Sequence, residues 1–336
     1  MVTKTQDLYG ALEVSPRARK SVIQAAYKAI MKECHPDNGG SESAARTVNM
    51  AYDLLSDPLK RQEYDKDREN LSGVIIGDYR VLKPIAEGGF GKTYLGEHIR
   101  VGKPVCIKHC SQISPQDEEI LIEETRAMWD LRHYAIPAVR DLLKLDDGSL
   151  ALVMSYIPGL TLEQVVQKVG PLDPEHVAWI TERILNAFMY IHFHGVVHGD
   201  VKPQNIIIQH GTHQVAIVDF GLAVSKPKHG EHSKGYTPYF APPEEIAGQT
   251  ILPESDFYSL GMTMIYALSG GLDHVLLRDV PKSTPDAICE FIKKLIVHNV
   301  LGRPHDDEKL FAELQQIRTR VFGRSTSGMK PIPGIS

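Results

Sequence analysis

The feature that most constrains this 336-residue chain is one short stretch with a polar cluster at each end and a hydrophobic hairpin between them. It begins His198-Gly199-Asp200-Val201-Lys202-Pro203-Gln204-Asn205 and closes on Asp219-Phe220-Gly221. A hairpin brings its two ends together, so Asp200, Lys202, Asn205 and Asp219 fall in one compact segment. Moving a phosphoryl group from a nucleotide to a hydroxyl requires a carboxylate to orient the attacking oxygen, oxygen ligands for magnesium, and positive charge beside the transferred group. These residue types at these spacings supply that set.

The segment resembles the catalytic and metal-binding loops of the eukaryotic-type protein kinases, with Gly199 where the usual His-Arg-Asp has arginine. The resemblance implies that Asp200 orients the substrate hydroxyl, Lys202 stabilises the transferred group, and Asn205 and Asp219 hold Mg2+. Lysine two positions after the aspartate points to serine or threonine substrates. His198 reads as a packed core residue supporting Phe220 rather than a proton carrier. With no arginine at 199, activity is expected not to require phosphorylation of Ser233 or Thr237.

Upstream, the alternation over Tyr79–Glu87 and Lys92–His98 predicts two strands joined by Glu87-Gly88-Gly89-Phe90-Gly91, glycines that let backbone amides approach phosphate oxygens. Ala86 stands where the kinase pattern has its first glycine. Val105-Cys106-Ile107-Lys108 resembles the strand whose lysine pairs with the ATP phosphates. Its partner is expected on a helix over Pro115–Leu131, where Ile120, Glu124, Met128 and Leu131 share one face and the register resembles the kinase helix if Glu124, rather than Glu123, is the ion-pair glutamate. The resemblance implies that Cys106 takes the adenine-ceiling alanine position and Thr93 that of the corresponding valine. By resemblance Met154 is the gatekeeper, and backbone groups of Ser155, Tyr156 and Ile157 meet adenine. Asp146-Asp147-Gly148 reads as a hairpin turn, and Asp173-Pro174 as a helix cap followed by its first residue. Thr237-Pro238-Tyr239-Phe240-Ala241-Pro242-Pro243-Glu244 is similar to the end of a kinase activation segment. That implies a Glu244–Arg303 pair and an Asp256 that braces the catalytic loop. The resemblance covers residues 79 to about 322, and the Gly-Gly-Phe-Gly-Lys-Thr-Tyr and Ala-Pro-Pro-Glu spellings look most like bacterial members.

Residues 7–65 have a different character. Val22, Ile23, Ala26, Tyr27 and Ile30, then Ala44, Val48, Ala51 and Leu55, recur at helical spacing and predict two amphipathic helices. Between them His35-Pro36-Asp37 and Asn38-Gly39-Gly40 cannot continue a helix. With Asp7-Leu8-Tyr9 and Arg61-Gln62-Glu63-Tyr64-Asp65, this stretch resembles a complete J-domain. The resemblance implies that His35, Pro36, Asp37 and Lys28 engage a 70-kDa heat-shock-type chaperone. Gln24 and Ala25 depart from lysines common in that family, and Arg17, Arg19 and Lys20 crowd a helix start where the macrodipole prefers anions.

A net charge of −5 without a basic stripe argues against a nucleic-acid ligand. Cys34, Cys106, Cys110 and Cys289 fall in no paired Cys-x-x-Cys spacing, which suggests neither a structural zinc site nor a disulfide framework and fits reduced thiols in the cytoplasm. No run approaches the ~18 apolar residues that a membrane span needs, and the first residues lack a signal core. The expected organisation is a multidomain chain: an all-α helical-hairpin J-domain over 1–68, a linker over 69–78, a bilobal α+β kinase fold over 79–322, and a flexible tail over 323–336. The expected activity is serine/threonine phosphotransfer from ATP with Mg2+ to protein substrates, coupled to a chaperone. The alternative is a co-chaperone bearing a catalytically silent kinase-like half.

Overall fold

The computed structural model describes residues 8–15, 18–35, 41–68, 71–88, 91–110, 115–209, 214–228, 234–323 and 331–335. The chain divides into two compact units, Met1–Ile85 and Ala86–Ser336.

The first unit contains α1 (Leu8–Ala11), α2 (Lys20–Cys34), α3 (Glu42–Leu55) and α4 (Pro58–Arg68). Ile23, Val48, Ala51 and Leu55 from the hairpin close over Leu8, Tyr9, Leu12 and Tyr64 as one core. The buried stripe of α2 is narrower than its pattern predicts: Ile23 is buried, but Val22 is 49% exposed, because adjacent helical positions cannot both face one partner. Tyr27 stacks on Tyr52 at 4.1 Å and donates its hydroxyl to Asn49. Helix α4 is tied to α1 through Leu8 N–H on Tyr64 Oη, Tyr9 Oη on Asp65 Oδ1, and Arg61 Nε on Tyr9 Oη. At the end of α2, His35 is extended (φ −63°, ψ 134°), the conformation forced on a residue that precedes proline.

The expected linker is partly ordered structure. Its residues Ile75–Ile76 form β1, which pairs with the start of β2 (Tyr79–Gly88), Ile76 opposite Tyr79. β-Branched residues beside a Gly77-Asp78 turn favour a hairpin over an extended connector.

In the second unit, β3 (Gly91–His98) and β4 (Pro104–Cys110) precede α5 (Pro115–Met128), and β5 (Val139–Lys144) and β6 (Leu150–Ser155) complete a twisted antiparallel layer ordered β3-β4-β6-β5. Helix α5 stops at Met128 rather than Leu131, whose N–H bonds back to Met128 O in a turn. The helical lobe follows with β7 (Leu160–Thr161), α6 (Leu162–Val169), α7 (Pro174–Phe193), β8 (Val196–Val197), β9 (Ile206–Gln209), β10 (Gln214–Ile217) and β11 (Val224–Ser225). It ends with α8 (Pro243–Ile246), α9 (Pro253–Ser269), α10 (Asp273–Leu277), α11 (Asp286–Leu295) and α12 (Asp307–Phe322). Asp173 accepts from Glu175 N–H ahead of Pro174, and Val177, Ile180, Ile184, Phe188 and Ile191 are buried on α7, whose first turns, residues 175–182, are buried all round. Helix α9 is buried almost throughout, which makes it the axle of this lobe.

The expected flexible tail is corrected at its end. Residues 331–335 lie on the helical lobe, with Ile332 and Ile335 in its apolar core and Gly334 close to Val169 at the end of α6. Two isoleucines removed from water contribute about 2 kcal/mol each, enough to hold a short segment without secondary structure.

Candidate active site

The β9/β10 hairpin pairs Ile206 with Ile217, and Val218 N–H donates to Asn205 O at 2.9 Å. That register places Asn205 beside Asp219, as a hairpin between the two polar clusters requires. Asp219 has φ +66°, a left-handed backbone unusual for a residue other than glycine.

On the sheet side, β4 carries Lys108 in register with Thr93 on β3 and Leu152 on β6. Lys108 Nζ donates to Glu124 Oε1 and Oε2 at 3.0 and 2.8 Å and to Asp219 Oδ1 at 2.8 Å. Glu123, the alternative on the same helix, pairs instead with Lys234 at 2.7 Å. Burial disfavours a charged Lys108, but the two carboxylates outweigh it and hold the ammonium protonated. Burial likewise pushes Asp219 up, and Lys108 more than reverses this, keeping the carboxyl below its usual range.

In the loop that follows His198, Lys202 Nζ lies 2.7 Å from Asp200 Oδ2, and Asn205 Nδ2 donates to Asp200 O and Oδ2 at 2.9 and 3.0 Å. Thr237 joins them: its hydroxyl donates to Asp200 Oδ1 at 2.6 Å and accepts from Lys202 Nζ at 2.9 Å. The sequence marks Thr237 as a modifiable hydroxyl at the start of the activation-segment run; its bridging role depends on a chain reversal that no local pattern encodes. With Asn205 Nδ2 spent on Asp200, its amide oxygen is the atom left for a ligand. That oxygen and the Asp219 carboxylate are hard donors of the kind Mg2+ takes, so the residues fit the ion.

Behind the loop, Asp256 on α9 accepts from His198 N–H at 2.8 Å and Gly199 N–H at 2.9 Å. It also meets His192 Nε2 at 3.0 Å, while His192 Nδ1 meets Asp307 at 2.8 Å. The His198 ring is buried against Phe220 at 4.6 Å, and burial pushes its pKa down. Its Nδ1 accepts from Asp200 N–H and Nε2 donates to Val218 O, the pattern of a neutral structural imidazole. Gly199 has φ +72°, and a Cβ there would meet Leu222 O at 2.9 Å, so the backbone turn that aims Asp200 favours glycine. Arg303 grips Glu244 through two bonds of 2.6 and 2.8 Å and stacks over Tyr258, while Ser255 donates to the same carboxylate.

Around the nucleotide position the picture is mixed. Gly88 ends β2, Gly89 and Phe90 lie outside the described residues, and Gly91 is required by packing, since a Cβ would fall 2.2 Å from His109 O. Met154 is buried. Ser155 N–H donates to Ala138 O and its hydroxyl accepts from Ala138 N–H. Tyr156 and Ile157 follow as irregular chain. Burial pushes the Cys106 thiol up to about 12, which makes it a packing group rather than a nucleophile.

The family model of the protein kinase domain matches residues 79–303, more than half of the chain. The chain belongs to the protein kinase family. A DnaJ domain model matches residues 7–65, the helical unit. The chain is 30% identical over 227 residues to the serine/threonine-protein kinase PrkC of Bacillus subtilis, an alignment covering 63% of this chain and 35% of that protein. It is 28% identical over 281 residues to pkn3 of Myxococcus xanthus (74% and 51%), and 33% identical over 205 residues to PknL of Mycobacterium tuberculosis (59% and 51%). The chain thus spans about a third to a half of the length of these curated relatives. In the DnaJ domain, His35 donates its N–H to Met31 O, Lys28 is exposed on α2, and Pro36 and Asp37 lie outside the described residues. So do Ser233, His229 and His232 of the activation segment. Among the described residues no helix is long and apolar enough to cross a membrane.

Proposed function

We propose that the kinase domain transfers the γ-phosphoryl group of ATP, with Mg2+, to serine or threonine hydroxyls of proteins, and that the DnaJ domain couples it to a 70-kDa heat-shock-type chaperone. The observation that carries the first part is the convergence of Lys108, Glu124 and Asp219 beside the Asp200–Lys202–Thr237 triangle. Lys108 is held charged to meet nucleotide phosphates. Asn205 and Asp219 would hold the metal, which neutralises phosphate charge when bound. Asp200 accepts the hydroxyl's hydrogen bond and aims its oxygen, and Lys202 faces the charge that develops on the transferred group. Relatives named as serine/threonine kinases support this substrate class. The free thiols of Cys34, Cys106, Cys110 and Cys289 fit a reducing compartment such as the cytoplasm.

The test is incubation with labelled ATP, Mg2+ and a generic basic protein. Transfer that disappears in Asp200→Ala supports the enzyme; well-folded protein with no transfer leaves the silent kinase-like co-chaperone. The chaperone coupling rests on the DnaJ match. His35→Gln should abolish stimulation of a 70-kDa chaperone ATPase, and unchanged stimulation would remove the loop from that role.

A further inference from the structure

Lys234 lies just after the undescribed part of the activation segment and is absorbed by none of the roles above. Its Nζ is 2.7 Å from Glu123 Oε2 on α5 and donates to Ala223 O at 2.9 Å. The lysine side chain is 18% exposed, the glutamate 44%. One ammonium therefore ties three pieces of chain that must be mutually placed: the activation segment, the turn after Asp219-Phe220-Gly221, and the helix whose next residue, Glu124, grips Lys108. Ala223 is itself fixed by its N–H on Phe220 O at 2.9 Å, so the carbonyl that Lys234 binds reports the position of the Asp219 loop. Lys234 is also close enough to Glu124 to favour its ionised form against a burial that pushes the carboxyl up.

We infer that Lys234 is a positioning residue: an ammonium strap, built into the chain, that holds α5 and the Asp219 loop in the arrangement where Lys108 meets both Glu124 and Asp219. This rests on the kinase reading. A rotation of α5 that withdrew Glu124 would have to break the Glu123 contact as well, so the strap favours the assembled site without any modification of the segment. A half-exposed ion pair alone is weak. Its leverage comes from geometry, since a displacement of about 1 Å at a phosphate-binding lysine is felt in the rate far more than in folding.

The experiment compares the full chain with Lys234→Met, Lys234→Arg and Glu123→Gln, and with the Lys234→Met/Glu123→Gln double variant. Steady-state transfer, binding of a fluorescent ATP analogue and thermal unfolding are measured for each. Lys234→Met should lower kcat roughly tenfold and weaken analogue binding, with the unfolding midpoint little changed. Lys234→Arg, which keeps a donor and charge, should recover most of the loss. The double variant should be no worse than Lys234→Met, because both changes cut one strap. Wild-type protein without transfer would overturn the kinase reading, and analogue binding would then still decide the strap. Transfer and binding in Lys234→Met equal to wild type, or losses matched by a fall in folding stability and not relieved by arginine, would overturn the inference.

Discussion

Lys108 and Asp219, separated by 111 positions in sequence, meet at 2.8 Å across the cleft between the sheet and the helical lobe. The same ammonium neutralises Glu124, whose side chain is 1% exposed. Lys108→Met should abolish transfer and also destabilise the fold by roughly 3–5 kcal/mol, because it strands a buried carboxylate. Adding Glu124→Gln should restore much of the stability and none of the activity. Denaturant unfolding of the two variants checks the first statement, and labelled ATP the second.

Thr237 presents its hydroxyl to both Asp200 and Lys202, so it acts as a spacer that holds the aspartate in one orientation. Thr237→Val should reduce kcat by about tenfold to a hundredfold with little change in the KM for ATP, and Thr237→Ser should retain most activity. Because that hydroxyl is already committed and Gly199 offers no cation, phosphatase-treated protein should keep its rate; a strictly inactive dephosphorylated enzyme, with phosphate mapped to Ser233 or Thr237 in the active form, would contradict this.

His192 joins three helices, with Asp256 of α9 on one ring nitrogen and Asp307 of α12 on the other. Burial lowers its pKa, but the two carboxylates prevail and push it up to about 9. A folded-state pKa above the unfolded value near 6.5 stabilises fully below ~6.5 and is lost as pH rises through about 9. Wild type should lose up to about 3 kcal/mol across that window, and His192→Gln should show a flatter profile. Unfolding titrations between those pH values decide it.

Arg303 holds Glu244 in a fork that a lysine cannot reproduce, beneath the end of the activation segment. Arg303→Lys should cost about 2 kcal/mol and Arg303→Ala more, since each leaves buried oxygens short of donors. Urea midpoints for these variants of the full chain give the measure; equal midpoints would show the pair to be dispensable.

What could be read directly from the chain was local or strongly periodic. Asp173 ahead of Pro174 announces its helix because both residues act on the first turn alone. Glu124 is separable from Glu123 because helical register places only one of them toward β4, and the structure finds Lys108 on Glu124 and Lys234 on Glu123. The contacts that escaped are those whose partners are distant and chemically common. His192 with Asp307 spans 115 positions and Thr237 with Asp200 spans 37, and nothing in a lone histidine or threonine names such a partner. Val22 and the Ile75–Ile76 pair misled for a different reason: an apolar residue fits a helix stripe, a connector or a hairpin equally well until its neighbours are placed.

Ile332 and Ile335 give the last described residues a weight out of proportion to their length. Trimming the chain after α12, a natural choice for anyone seeking a tidier fragment, would uncover greasy surface next to α6 and invite self-association. Any label fused at this end needs a spacer long enough to leave both isoleucines seated.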